Sequence, residues 1–295
     1  MEKLHVRFLR YSAFYTPLLL TLEGDSLRRA GISATFDKVE PGKTIDEGFR
    51  DGTVTVAQSA PAVSFQPALK GTPPPYRHFS VMNVRDGFFL AGRDTATPFA
   101  WASLEGRTVL VDHFFQPLAL FRTALRARGV DEAKVRVVDA GDVSRMEAAF
   151  RAGEGDFLHA QGPVPQQLEC EKAARVVASV GEAAGPLAFS SLCARPEWLT
   201  TDVARAFLRV YRAARAEAHA APVADVVRRI TAFLPGVSPE ALAATVDAYQ
   251  RLGTWAGDDT FTVPLFERTV DIFLAVGHIS ARPAFEDVAA AAAAT

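Results

Sequence analysis

The sequence predicts an α/β protein of two Rossmann-like lobes joined by a hinge, with a helical C-terminal part. Three observations predict it. Residues 54–69 (VTVAQSAPAVSFQPAL), 109–127 (VLVDHFFQPLALFRTALRA) and 153–169 (GEGDFLHAQGPVPQQLE) share one grammar: strand, polar turn, helix. Strand-like and helix-like segments alternate through the first half and then restart, giving two α/β units of roughly 90 residues each. From Thr200 onward the chain reads as nearly all helix.

The elements follow in order. Residues 4–9 form a strand, and 14–30 a helix ended by Gly31. A strand at 32–39 alternates apolar positions, and a short helix at 45–50 closes on Asp51-Gly52. Strand 54–58 leads into helix 60–69, and GTPPP at 71–75 is a rigid loop. Strands follow at 78–83 and 87–91. The second unit opens with a helical turn at 101–105, strand 108–112 and helix 117–128. Strand 134–138, helix 143–152, strand 156–160 and helix 165–170 come next, then strands 174–180 and 187–192. Helix 202–219 carries Ala206, Phe207, Val210, Tyr211 and Ala214 at helical spacing, with Thr200 or Thr201 as N-cap. Helices at 224–234, 239–252 and 263–276 complete the chain, and the alanine tail 289–295 is a frayed helix end.

Composition narrows the class. The chain has 295 residues, about half of them apolar, and a net charge of −2 without a basic block. Nucleic acid is therefore not an expected partner, because phosphate binding needs concentrated Lys and Arg. No apolar run approaches the ~18 residues of a membrane span, so no membrane insertion is expected. The first 25 residues do not read as a secretory signal, since the run Pro17–Leu20 is short and Glu23 and Asp25 follow at once. As given, the chain reads as cytoplasmic, or as periplasmic if a leader is missing. Cys170 and Cys193 are expected to be buried free thiols. The six histidines are scattered, with no metal-ligand spacing, and no cofactor is expected. No phosphate loop, Gly-x-Ser-x-Gly elbow or His-Glu-x-x-His motif occurs.

Five stretches carry a family likeness: GTVTVAQSAP (52–61), RDGFFLAGR (85–93), LEGRTVLVD (104–112), AFRAGEGD (149–156) and the strand and helix opening at 189–208. Over residues 3–285 the chain resembles the SsuA/THI5-like (NMT1) substrate-binding proteins of sulfonate, nitrate and thiamine-precursor uptake, which have the type II periplasmic-binding-protein fold. The resemblance implies one lobe from 1–92 and 193–295, with the C-terminal helices packing on it, and a second lobe from 93–192. It implies a small-molecule ligand held in an inter-lobe cleft by hinge closure, with an ABC permease and ATPase as partners. The chain lacks the cysteine-rich CCCFC motif of the yeast pyrimidine-synthesising relatives.

Candidate ligand contacts are the loops at the carboxyl ends of strands, where open α/β sheets bind ligands. After the first strand stand Ser12, Phe14 and Tyr15; the rings either reach ligand or anchor the first helix. Gln58 and Ser59 follow the third strand, with Ser59 either a ligand contact or an N-cap. Asp112-His113-Phe114-Phe115-Gln116 is the richest loop. One Phe packs inward and the other lines the cleft, His113 bonds ligand or Asp112, and Gln116 offers an amide. Gln161 and Gly162 give an amide and a close backbone approach, or else a plain turn. His159 lies within a strand and Arg85-Asp86 reads as a solvated or hinge-stabilising pair, so neither is placed in the site. This lining is aromatic and amide-rich without a dedicated Arg or Lys. It favours an aromatic or heterocyclic solute, pyrimidine-like, over nitrate or a bare sulfonate. The alternatives are a cytoplasmic cofactor-biosynthesis enzyme on the same fold, with His113 and Asp112 as an acid–base pair, and a cytoplasmic ligand sensor.

Overall fold

The computed structural model describes residues 1–94 and 96–290. The chain divides into two compact units, one of Met1–Val84, Leu187–Leu234 and Trp255–Thr295, the other of Arg85–Pro186 and Pro235–Thr254.

The first unit is built on a five-stranded sheet. Its strands are β1 (Glu2–Phe8), β2 (Ile32–Lys38), β3 (Val56–Ser59), β4 (Arg77–Asn83) and β10 (Ser190–Ala194), in the order β2-β1-β3-β10-β4. β1 pairs in parallel with β2 (Glu2 opposite Ile32) and with β3 (Val6 opposite Val56), whereas β10 runs antiparallel to both β3 and β4. Its helices are α1 (Thr16–Leu22), α2 (Ser26–Arg29), α3 (Ile45–Arg50), α4 (Phe65–Leu69), α9 (Asp202–Ala220), α10 (Val223–Ile230), α12 (Val263–Ala275) and α13 (Phe285–Val288). Two of them start on side-chain caps. A capping box between Thr44 and Glu47 starts α3, and the hydroxyl of Thr201 accepts from the Ala204 amide to start α9. The expected helix over 14–30 is instead a 3-10 turn and two helices, because Gly24 adopts a left-handed φ of 72°.

The second unit repeats the plan. Strands β5 (Phe88–Gly92), β6 (Thr108–Val111), β7 (Arg136–Val138), β8 (Phe157–Gln161) and β9 (Arg175–Ser179) lie in the order β7-β6-β8-β5-β9. β6 is parallel to β7 and β8, while β5 is antiparallel to β8 and β9. Helices α5 (Phe115–Ala127), α6 (Val143–Arg151), α7 (Val164–Cys170), α8 (Val180–Ala184) and α11 (Pro239–Leu252) cover it. Leu110, Leu158, Ala160, Met146, Phe150 and Leu168 fill one face of this sheet.

The unit boundaries differ from the expected 1–92, 93–192 and 193–295. β5 hydrogen-bonds to β8 and β9, so residues 88–92 belong to the second unit, and β10 bonds to β3 and β4, so 190–192 belong to the first. α11 also leaves the expected C-terminal block. The Tyr249 hydroxyl donates to the Gly87 carbonyl (2.9 Å), and the Ser238 amide to Gln167 Oε1 (2.9 Å), both within the second unit. An amphipathic helix declares an apolar face but not the sheet that it will cover. Of the alanine tail, Ala289 bridges to His78 on the β4 edge, and residues 291–295 lie outside the described residues. Both cysteines are free, with Cys193 buried and Cys170 exposed, contrary to the expectation of two buried thiols. Cys170 is the last residue of α7, where the chain reaches the surface. No described helix is long and apolar enough to cross a membrane.

Within the first unit, the buried Arg215 on α9 donates to the carbonyls of Gly257 (2.5 Å), Ala256 (3.0 Å) and Met82 (3.4 Å). Replacing it strands carbonyl groups away from water. Arg215→Met is therefore expected to lower the unfolding free energy by about 3 kcal/mol in urea titrations. Arg215→Lys should recover only part of this, because a point ammonium cannot span three acceptors as the guanidinium fork does.

Candidate functional site

Strand order locates the candidate site in each unit. β1 lies between β2 and β3, so the connections leaving the carboxyl ends of β1 and β3 diverge; β6, between β7 and β8, repeats this. Such switch points are where open α/β sheets accept ligands.

In the first unit this end carries Ser12, Phe14, Tyr15, Gln58 and Ser59. The Ser12 hydroxyl accepts from the Phe14 amide (3.2 Å) and caps the 3-10 turn of Ala13–Tyr15. Phe14 is wholly buried, edge-on to Phe189 at 5.3 Å, and its carbonyl accepts from Asn83 Nδ2 (2.8 Å) and Trp255 Nε1 (3.1 Å). Phe14 is thus a core anchor, as is the buried Tyr15 ring beside it (5.6 Å). Gln58 is fully buried, and its Oε1 accepts from the Leu9 amide (3.1 Å), tying the loop after β1 to the end of β3. Its Nε2 and the Ser59 hydroxyl have no partner among the described residues. Ser59 is not a cap: Ala60 holds that place before the next 3-10 turn.

In the second unit the loop after β6 is organised by its own side chains. Asp112 Oδ1 accepts from the Phe114 amide (2.8 Å), and His113 Nδ1 lies 2.8 Å from the Val111 carbonyl. A carbonyl only accepts, so His113 carries a proton on Nδ1. Nδ1 and Oδ1 are thereby committed to backbone groups, which removes the expected His113 bond to Asp112 through these atoms. Phe114 is 57% exposed, Phe115 is half-buried in the first turn of α5, and Gln116 is buried. At the end of β8, Gln161 is buried and its Nε2 has no partner among the described residues. Gly162 makes room for α11: a Cβ there would stand 2.7 Å from Thr245 Cγ2 and 2.8 Å from the Tyr249 hydroxyl.

Three polar groups at these strand ends escaped the sequence reading. Asn83 closes β4 and bonds to the Phe14 carbonyl. His159 is wholly buried between Phe88 (ring centroids 4.7 Å apart) and Phe121 (5.1 Å), with neither ring nitrogen partnered among the described residues. Asp86 is not solvated and is paired otherwise than expected. It is wholly buried, its Oδ1 accepts from the Phe88 amide (3.0 Å), and Arg85 turns instead to the Gly181 carbonyl (3.4 Å). Asp86 Oδ2 has no partner among the described residues. Each such orphan costs about 1–3 kcal/mol unless a further partner satisfies it.

Burial shifts two of these groups, His159 and Asp86, and also His78 near the start of β4. Desolvation lowers His78, held between Ser64 Oγ (3.0 Å) and Ser191 Oγ (2.6 Å), to about 3, and does the same to His159. Asp86 is raised to about 8 by burial, opposed by backbone bonds and reinforced slightly by Asp112. No group of three or more His, Cys, Asp or Glu side chains among the described residues could hold a metal ion.

The sequence matches no protein-family profile. It is 23% identical over 265 residues, 88% of this chain and 78% of the other, to YtlA of Bacillus subtilis (strain 168), whose name describes it as a binding protein. The fold is similar to that of the ligand-binding component of an ABC-type import system from Staphylococcus aureus, solved with zinc bound. That match has a TM-score of 0.77 at 14% identity over 99% of this chain and 97% of that one. It is similar also to the alkanesulfonate-binding protein SsuA from Xanthomonas axonopodis pv. citri bound to MOPS, with TM-score 0.71 and 14% identity over 98% of each chain. The chain has the SsuA-like, type II periplasmic-binding-protein fold.

Two predictions follow from the site. A neutral buried histidine stabilises fully above pH 6.5, and the stability is lost as pH falls from 6.5 toward 3. The raised Asp86 works oppositely, stabilising fully below 3.8 and losing this as pH rises to 8. Each group changes stability by about 1.4 kcal/mol per pH unit within its window. Urea titrations should therefore show a maximum near pH 6.5, with the alkaline decline removed in Asp86→Asn; a flat profile between pH 5 and 8 would contradict these assignments. Gly162→Ala should cost about 1–3 kcal/mol through overpacking against α11, read by thermal melting.

Proposed function

We propose that this chain is a solute-binding protein that captures a small organic molecule with the strand-end loops of both units, closing on it by hinge motion. In this reading it serves an ABC-type uptake system, with a permease and an ATPase as partners. The observation that carries it is the set of buried, unpartnered groups at the switch points: Gln58 Nε2 and Ser59 Oγ in one unit, Gln161 Nε2 and Asp86 Oδ2 in the other. A ligand that satisfies them recovers the cost of leaving them orphaned. The similarity to YtlA and to ligand-binding components of import systems supports the same reading.

The ligand class follows from the lining. Phe114 presents an exposed ring able to stack on a flat solute, and the named contacts are amides, a hydroxyl, a carboxyl and an imidazole rather than Arg or Lys. An aromatic or heterocyclic solute of the sulfonate, nitrate and thiamine-precursor class of uptake systems suits this lining better than a bare anion.

Thermal-shift screening tests the proposal. A ligand at 100 times its dissociation constant stabilises by about 2.7 kcal/mol. The expected result is a raised Tm with the ligand recovered chemically unchanged, and a shift reduced in both Ser59→Ala and Gln161→Ala. Conversion of the ligand to a new mass, or a shift indifferent to both substitutions, would contradict it.

A further inference from the structure

The first unit carries a groove of about 350 Å³ that is lined wholly by helices α1, α2, α9 and α10 and by none of the strand-end residues. Its rim is polar: Ser26, Arg29, Arg209, Arg229 and Glu217. Its floor is apolar, made by Leu20 of α1 and by Val210, Ala213 and Ala214 of α9. The two alanines offer only methyl groups, and this keeps the groove open.

The three guanidinium groups are not alike. Arg229 is neutralised by the protein: it bonds to Glu23 (2.7 Å) and to Glu217 (2.5 Å). Both acids beside the groove are thereby taken up. Arg29 reaches only the Ser26 hydroxyl (3.0 Å), with no carboxylate partner among the described residues. Arg209 makes no side-chain hydrogen bond or ion pair to a described residue. It also borders a second groove with Glu2, Asp202 and Arg205, but there Asp202 is held by Arg205. Two positive groups that face one groove without a counter-charge repel each other, and an anion placed between them turns that repulsion into attraction. Counting Arg29, Arg209 and Arg229 against Glu23 and Glu217 leaves one positive charge, which a single negative charge balances. A planar carboxylate also matches the donor fork of a guanidinium.

We infer that this groove is a second ligand site, which receives a carboxylate carried on a small apolar body. The carboxylate lies between Arg29 and Arg209, and the body rests on Leu20, Val210 and Ala213. The site is separate from the strand ends and does not depend on the solute-binding reading. Because both arginines are exposed, binding is weak and falls as salt rises.

Calorimetric titration of the full chain with benzoate tests this, with benzamide as the uncharged match and acetate as the carboxylate without a body. Benzoate should bind at least fivefold more tightly than either. Arg209→Gln should weaken benzoate at least fivefold. Ala213→Leu, which fills the groove and leaves every charge in place, should abolish binding; circular dichroism melts confirm that both variants fold. Gln161→Ala, at a strand end of the second unit, should change nothing. Benzoate affinity unchanged in Arg209→Gln and Ala213→Leu would overturn the inference, as would benzamide or acetate binding equally well, or no binding of benzoate. Benzoate binding lost in Gln161→Ala but kept in Arg209→Gln would overturn it while favouring the strand-end site.

Discussion

The parallel pairing of one strand between two others, β1 between β2 and β3 and β6 between β7 and β8, is the constraint on which the rest depends. A parallel pair cannot be closed by a hairpin, so each strand must be followed by a crossover that covers a face of the sheet. With the first strand of each set in the middle, successive crossovers lie on opposite faces and leave its carboxyl end uncovered. The antiparallel strands β10 and β5 then bring Ser191 beside Ser59, and Phe88 beside Gln161, so each uncovered end is flanked by residues from distant parts of the chain.

The orphaned polar groups gain their meaning from this position. A buried amide or carboxyl without a partner is costly anywhere, and folded chains rarely retain one without a use. Here Ser59 and Gln161 end strands that also carry well-packed apolar residues, such as Leu158 and Ala160 before Gln161. Other buried polar groups of the chain are satisfied by the protein itself: Arg7 forks onto Asp37, Ser80 donates to Asp259, and Arg215 spans three carbonyls.

Much of this was legible in the sequence. Helix α11 runs over the expected 239–252 because Ser238 caps its start and Gly253 turns left-handed at its end, both local signals. The run LLLTLEGD hid the break between α1 and α2, since its apolar residues continue a helical pattern through Gly24. Sheet membership was not legible: FFLAG is a strand in either unit, and only its hydrogen bonds to β8 and β9 assign it. In the site, Gln58, Ser59 and Gln161 were visible as polar residues ending apolar runs. Asp86 was not, because a charge beside an arginine reads as solvated, and its burial depends on contacts far along the chain, including Gly181, where a Cβ would lie 2.1 Å from the Asp86 carbonyl.

The central claim is that the strand ends of each unit are finished by a ligand rather than by the protein itself. The most direct test is a crystal structure at better than ~1.2 Å resolution of the chain saturated with a ligand that raises its Tm. The account predicts ligand atoms within hydrogen-bond distance of Gln58 Nε2, Ser59 Oγ, Gln161 Nε2 and Asp86 Oδ2. A ligand bound elsewhere, with those four atoms satisfied by neighbouring side chains or isolated waters, would contradict it.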